Sequence, residues 1–261
     1  MKIIDLDDAN KPLYFLCLED WSSDIRESGN RKSSWYDRMK DSGLRVKLAA
    51  DDDGNIGGMI QYLPIEHSHV RGKGLFFIYC IWVHGHREGR GDFQGKGLGG
   101  SLLEAAEEDA RSSGARGMAA WGISLPFWMK ASWFRKHGYR KADRDGMAVL
   151  LWKPFTQEAA PPEWIKRKKK PSRVPGKVTV TSFVNGWCPA QNLAYERARR
   201  ASEEFGEKVE FREVDTLDRN NLEEWGICDA LYVDDAQVRT GPPPSYESIR
   251  KKIEKKVRKL K

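Results

Sequence analysis

The chain has 261 residues, 39% of them hydrophobic and 11% aromatic, which suffices for one large or two ordinary cores. No apolar run approaches the ~20 residues that span a membrane, and the start Met1-Lys2-Ile3-Ile4-Asp5 lacks a secretory stretch. The net charge of +7 equals that of residues 249–261 alone, and six more basic residues lie within 166–173, so the remaining sequence is mildly acidic.

The two basic stretches read as solubilising charge, so neither a membrane nor a nucleic-acid partner is expected. Cys17, Cys80, Cys188 and Cys228 stand at no metal or redox spacing, which fits a reduced, cytoplasmic setting. In chain order, residues 2–6 read as a strand, 12–21 and 32–41 as helices, and 44–50 as a strand. Asp51-Asp52-Asp53-Gly54-Asn55 is turn chemistry leading into a strand over 56–64, a hairpin signal. The apolar run 75–83 is expected as the central strand. Eleven positions then separate Val83 from Gln94, and their three glycines and several charges suggest a mobile flap.

Gln94-Gly95-Lys96-Gly97-Leu98-Gly99 opens a helix predicted over 97–113. Leu98, Leu102, Leu103, Ala106 and Ala110 recur at helical spacing, and Gly114 stops it. A loop of this kind aims backbone N–H groups at one point and adds the positive end of a helix dipole. It suits a phosphate, which glycine lets approach the backbone closely. Residues 117–123 read as a strand, 126–137 as a helix stopped by Gly138, and 147–152 as a strand.

Prolines and the run Lys166-Arg167-Lys168-Lys169-Lys170 then break the pattern, giving boundaries of 1–155, a linker over 156–176, and 177–261. Residues 177–184 alternate as a strand. Trp187-Cys188-Pro189 precedes a helix carrying Leu193, Ala194, Ala198, Ala201 and Phe205. Strands follow over 209–214 and 230–233, then a helix over 246–260 with the stripe Ile249, Ile253, Val257 and Leu260.

The spacing Q-x-x-G-x-G resembles motif A of the GNAT superfamily of N-acetyltransferases. Trp133-Phe134-Arg135-Lys136-His137-Gly138-Tyr139 resembles the F-Y-x-x-x-G-F ending of that family's fourth helix. The resemblance spans nearly all of 1–155. It implies an α/β fold with a mixed sheet, acetyl-CoA as cosubstrate, and direct acetyl transfer to an amine acceptor in a ternary complex. It further implies that the backbone of Ile81, Trp82 and Val83 pairs with the pantetheine arm. Gln94, Gly95, Lys96, Gly97, Leu98, Gly99 and Gly100 would hold the pyrophosphate. Independently of the resemblance, the charges of Arg87 and Arg90 in the preceding loop offer further phosphate contacts.

Several positions depart from that pattern. The family's tyrosine falls on Phe134, an asparagine on Phe127, and the central-strand glutamate or histidine on Phe77 or Tyr79. Strand alternation places Phe77, Tyr79 and Ile81 on one face, where Tyr79 offers the one polar group. Tyr79 and Glu66 are therefore the catalytic candidates, a phenol being able to orient water or donate a proton. His67, His84 and His86 stand close to the same strand ends. His67, His69, His84 and His86 lack a cysteine or paired acid to complete a metal set, so no metal is expected.

Residues 177–261 resemble a thioredoxin-like fold, with Trp187-Cys188-Pro189 at its active-site turn. Gln191 stands where C-x-x-C has its second cysteine, and Asp229 where the family has its cis-proline. The pairing with the first segment resembles the YoaP-type architecture of some prokaryotic proteins. Two other readings stay open: a GNAT-fold protein that senses a CoA compound without turnover, and a thiol-dependent protein using Cys188.

Overall fold

Strands over Ile56–Pro64, Leu75–Val83, Gly117–Ile123 and Ala230–Val233 form over the residues that the apolar runs predict. The computed structural model describes residues 1–125 and 128–260. Its contacts divide into two units, Met1–Ser22 with Tyr36–Trp164, and Ser23–Trp35 with Ile165–Lys261. The sequence boundaries do not anticipate the grouping of residues 23–35 with the C-terminal unit.

The chain begins with β1 (Lys2–Asp5) and α1 (Lys11–Phe15), then α2 (Ser23–Arg26) and α3 (Arg31–Met39). There follow β2 (Arg45–Ala50), β3 (Ile56–Pro64), β4 (Val70–Arg71), β5 (Leu75–Val83), α4 (Leu98–Ser112) and β6 (Gly117–Ile123). The first unit closes with α5 (Ala131–Lys136), β7 (Arg140–Asp145), β8 (Ala148–Pro154) and β9 (Glu163–Trp164). Its main sheet has the order β1-β2-β3-β5-β6-β8-β7, and β4 pairs with β9. Every neighbouring pair in the main sheet is antiparallel except β5 with β6.

α4 buries Leu98, Leu102, Leu103, Ala106 and Ala110 against Ile60, Tyr62, Ile78, Met118 and Leu151 of the sheet. Burying each of the three leucines supplies roughly 1.5–3 kcal/mol, which fixes the helix on this face. Two predicted helices are shorter than their patterns. α1 ends at Phe15 because Cys17 and Leu18 take left-handed backbone angles, φ 52° and 64°. The helix predicted over 126–137 starts only at Ala131, because Met129 takes a left-handed φ of 51° and Lys130 is extended and bridges Ile123; Phe127 lies outside the described residues.

The second unit holds β10 (Val178–Val184), α6 (Pro189–Glu203), β11 (Val209–Asp215), α7 (Arg219–Trp225), β12 (Ala230–Val233), β13 (Ala236–Val238) and α8 (Tyr246–Val257). Its sheet order is β11-β10-β12-β13, with β10 parallel to β11 and the other pairs antiparallel. α6 contributes Ala198 and Ala201 and α8 contributes Ile249 and Ile253 to one core with Val178, Val180, Leu231 and Val233. The basic run is held along this unit. Lys168, Lys169 and Arg173 pair with Glu223, Glu224 and Asp235, and the Lys168 N–H donates to the Trp225 carbonyl at 3.0 Å. Among the described residues, no helix is long and apolar enough to cross a membrane.

Candidate active site

β5 and β6 pair only from Leu75 opposite Gly117 to Ile78 opposite Ala120. Beyond that point each strand keeps its outer partner, Ile60 to Gly58 beside Ile81 to Val83, and Leu150 to Ala148 beside Trp121 to Ile123. The sheet therefore splits between them. The Trp121 indole N–H donates to the Tyr79 carbonyl at 2.8 Å, covering the first carbonyl freed by the split. The inner backbone edge of Ile81–Val83 has no strand partner among the described residues, and unpaired backbone of this kind is a ready template for an extended ligand.

A cavity of about 680 Å³ opens at the split. β5 lines it with Ile81, Trp82 and Val83, the α4 end with Gln94, Gly95, Gly97, Leu98, Gly99 and Gly100, and the opposite wall with Met129, Lys130, Trp133 and Phe134. Gly97 is the N-cap of α4 at φ 82°, a left-handed angle that glycine adopts without strain, and no side chain caps the helix start. The first turn of α4 carries no acidic residue, although the helix dipole favours one there. A Cβ on Gly100 would meet nothing closer than His137 Nε2 at 3.8 Å. Protein packing therefore gives no reason for a bare backbone there, whereas an anion close to the first-turn N–H groups does. Lys96 extends over the Phe93 ring, 5.1 Å from its centroid.

The loop before α4 is anchored, which corrects its expectation as a mobile flap. Gly85 bridges Asp92, and the Phe93 N–H donates to the His84 carbonyl at 2.9 Å. Phe93 is buried in the main core, and a Cβ on Gly57 would sit 2.2 Å from its ring, so glycine is required at 57. Arg90 Nε donates to the Ile56 carbonyl at 2.8 Å, so this arginine ties the loop down instead of facing a phosphate.

His84 is fully buried, and its tautomer follows from its partners. Trp21 Nε1 can only donate, and it meets His84 Nε2 at 3.0 Å, so that nitrogen accepts. The proton then sits on Nδ1, which donates to the Gly91 carbonyl at 2.7 Å. His86 lies beside it, 52% exposed, with Nε2 3.9 Å from a Glu19 carboxylate oxygen that is mostly buried. The His86 ring packs near Trp21, His84 and the cavity-lining Trp82, at centroid distances of 5.9, 5.5 and 6.3 Å. Burial raises the Glu19 carboxyl above its ordinary range, an effect that His84 and His86 oppose.

The predicted cofactor residues Ile81, Trp82, Val83, Gln94, Gly95, Gly97, Leu98, Gly99 and Gly100 are brought to one cavity, with Lys96 on the same loop. The two predicted catalytic residues are not brought to it. Tyr79 is fully buried with its ring against His69 and Phe77. Glu66 accepts the Gly74 N–H at 2.7 Å, at the opposite end of β5. Seven residue steps separate Gly74 from Ile81, roughly 24 Å at the usual rise of a strand. Phe134, at the family's tyrosine position, is fully buried in the cavity wall. Glu19, Trp21 and Trp121 carry no local sequence signal, because their contacts are long-range. His137 stacks on Trp133 at 4.1 Å near the α4 start, and its place just before the Gly138 helix stop was the available hint. Among the described residues, no group of three potential ligands is placed to hold a metal.

Residues 10–139 match the model of the acetyltransferase (GNAT) family. No curated protein matches the chain. Solved structures similar to it include a GNAT family acetyltransferase from Brucella melitensis in complex with acetyl-CoA, 17% identical, with 61% of this chain and 90% of that one covered and a TM-score of 0.40. A GNAT family acetyltransferase from Staphylococcus aureus is 15% identical, covering 59% and 99%, with a TM-score of 0.43. A GNAT family N-acetyltransferase from Escherichia coli in complex with CoA is 13% identical, covering 62% and 88%, with a TM-score of 0.45. The split sheet, the uncapped glycine start of α4 and the family match together place the first unit in the acetyltransferase (GNAT) family.

Proposed function

We propose that the chain is an acetyl-CoA-dependent N-acetyltransferase that passes the acetyl group directly to an amine acceptor bound at the same time. The observation that carries this reading is a single cavity walled by the open edge of β5, the uncapped start of α4 and the α5 side chains. Acetyl-CoA supplies the acetyl thioester. The backbone of Ile81, Trp82 and Val83 holds the pantetheine arm as an added strand would be held. The N–H groups of the Gly95–Gly100 loop hold the pyrophosphate, with Lys96 adding charge beside them. Holding both reactants in place supplies much of the rate. The amine must lose a proton to attack. His86, with Glu19 behind it, is placed beside Trp82 for that task, and this favours it over Tyr79 and Glu66. Phe134 packs the wall and has no proton to give.

The second unit is read as thioredoxin-like, with the boundary between the two domains at Trp164 and Ile165, inside the segment 156–176 expected as a linker. The order strand-helix-strand-helix-strand-strand-helix and the sheet β11-β10-β12-β13 support that reading. The test of the function is amine-dependent release of free CoA from acetyl-CoA. Release that saturates with one class of amine is the expected result. Saturable acetyl-CoA binding with no release from any amine would contradict transfer and favour a CoA sensor.

A further inference from the structure

The Trp187-Cys188-Pro189 turn and the Cys228-Asp229 loop meet at one carboxylate. Asp229 Oδ2 accepts the Trp187 indole N–H at 3.0 Å and the Cys228 thiol at 3.2 Å, while Oδ1 accepts the Asn185 N–H at 3.1 Å. Asp229 thus pins the turn that carries Cys188 onto the loop that carries Cys228. Cys188 is the N-cap of the 15-residue α6, with Pro189 at its first position, so it feels the positive end of that helix. Cys188 is 7% exposed, and Cys228 is a half-buried residue whose thiol rests against Asp229. Asn185 Oδ1 and Asn192 Oδ1 are buried beside the turn without a partner among the described residues, so polar capacity there exceeds what packing uses.

The geometry points to a dithiol centre of Cys188 and Cys228, served by Asp229 as base, that exchanges with small-molecule disulfides. The paired cysteines lie on separate loops, so no C-x-x-C spacing announces them. In the first step, Cys228 gives its proton to Asp229 and attacks one sulfur of the disulfide. A Cys228 mixed disulfide forms and one thiolate leaves. In the second, Cys188 attacks Cys228 Sγ, the second thiolate leaves, and a Cys188–Cys228 bond closes. The two leaving thiolates take up the protons from Asp229 and Cys188. Two protein thiols are oxidised and one external disulfide is reduced to two thiols. Burial raises both the Cys228 thiol and the Asp229 carboxyl, with the Asp229 charge adding to the effect on the thiol. That keeps Cys228 protonated at neutral pH and makes the carboxylate a better base than a solvated aspartate.

The test treats the full chain with oxidised glutathione, counts free thiols, and maps linked peptides by mass. The expected result is a fall from four free thiols to two, with a Cys188–Cys228 link. Cys228→Ser should abolish that link. Asp229→Asn, with its fold checked by circular dichroism, should slow the reaction by about tenfold or more and steepen its dependence on pH. A link between Cys17 and Cys80 in its place, retention of four thiols, or an Asp229→Asn variant that reacts at the wild-type rate across pH would each overturn the assignment. None of these readouts depends on acetyl transfer.

Discussion

His84 and His86 stand two residues apart, yet their surroundings divide their roles. His84 is fully buried with both ring nitrogens engaged, Nε2 by the Trp21 indole and Nδ1 by the Gly91 carbonyl. His86 faces solvent, with the Glu19 carboxylate behind it. His86→Ala is expected to lower kcat at least tenfold with acetyl-CoA affinity unchanged. Glu19→Gln should alter the acid limb of the pH profile, since burial raises the Glu19 carboxyl. Tyr79→Phe should leave turnover intact. Steady-state kinetics of the three variants decides, and a collapse confined to Tyr79→Phe would contradict this assignment. The sequence exposes His86 as a candidate but not Glu19, because proximity between the α1 segment and the end of β5 exists only after the sheet has formed.

At the scale of elements, β5, β6 and α4 are legible because their apolar patterns match their periods, alternating or continuous for strands and 3.6 for the helix. β7 is hidden, since Arg140-Lys141-Ala142-Asp143-Arg144-Asp145 has no apolar alternation and lies at the sheet edge, where charge is tolerated. α1 is over-read because nothing local in Cys17 and Leu18 announces left-handed backbone angles. The start of α4 yields a test that separates fold from ligand. Gly100 lies in its first turn with room for a side chain, and glycine there is a poor helix former. Gly100→Glu should raise thermal stability by about 0.5–1 kcal/mol, because a carboxylate favours the helix start. A loss of stability in thermal melts would mean that the backbone there is needed for packing.

Across the molecule, several residues of the two basic stretches pair with acidic residues. Lys168, Lys169, Arg173 and Lys256 of the second unit pair with Glu223, Glu224, Asp235 and Asp234, and such exposed pairs add little stability each. The composition shows the basic runs; it does not show that 165–173 lies along a folded unit, which follows from contacts distant in sequence. The same unit binds residues 23–35 through Arg31, whose guanidinium donates to both Glu213 oxygens at 3.0 Å while Tyr195 donates to one at 2.5 Å. Burial alone would raise the Glu213 carboxyl, but the bonds from Arg31 and Tyr195 outweigh it and hold the group below its ordinary value of 4.5. A depressed folded pKa means that this contribution is present above 4.5 and is lost as the pH falls through the folded value. Glu213→Gln is expected to cost about 1 kcal/mol at neutral pH in urea unfolding, with the difference from wild type shrinking in acid. A difference constant with pH would contradict the ionic account.

Calorimetric titration of acetyl-CoA into the wild-type chain and into Gly100→Glu tests the central reading most directly. The expected result is saturable binding by the wild type and none by a variant that remains folded, because its new carboxylate repels an anion at the α4 start. Absence of binding by the wild type, or equal binding by both proteins, would contradict a pyrophosphate site at that loop.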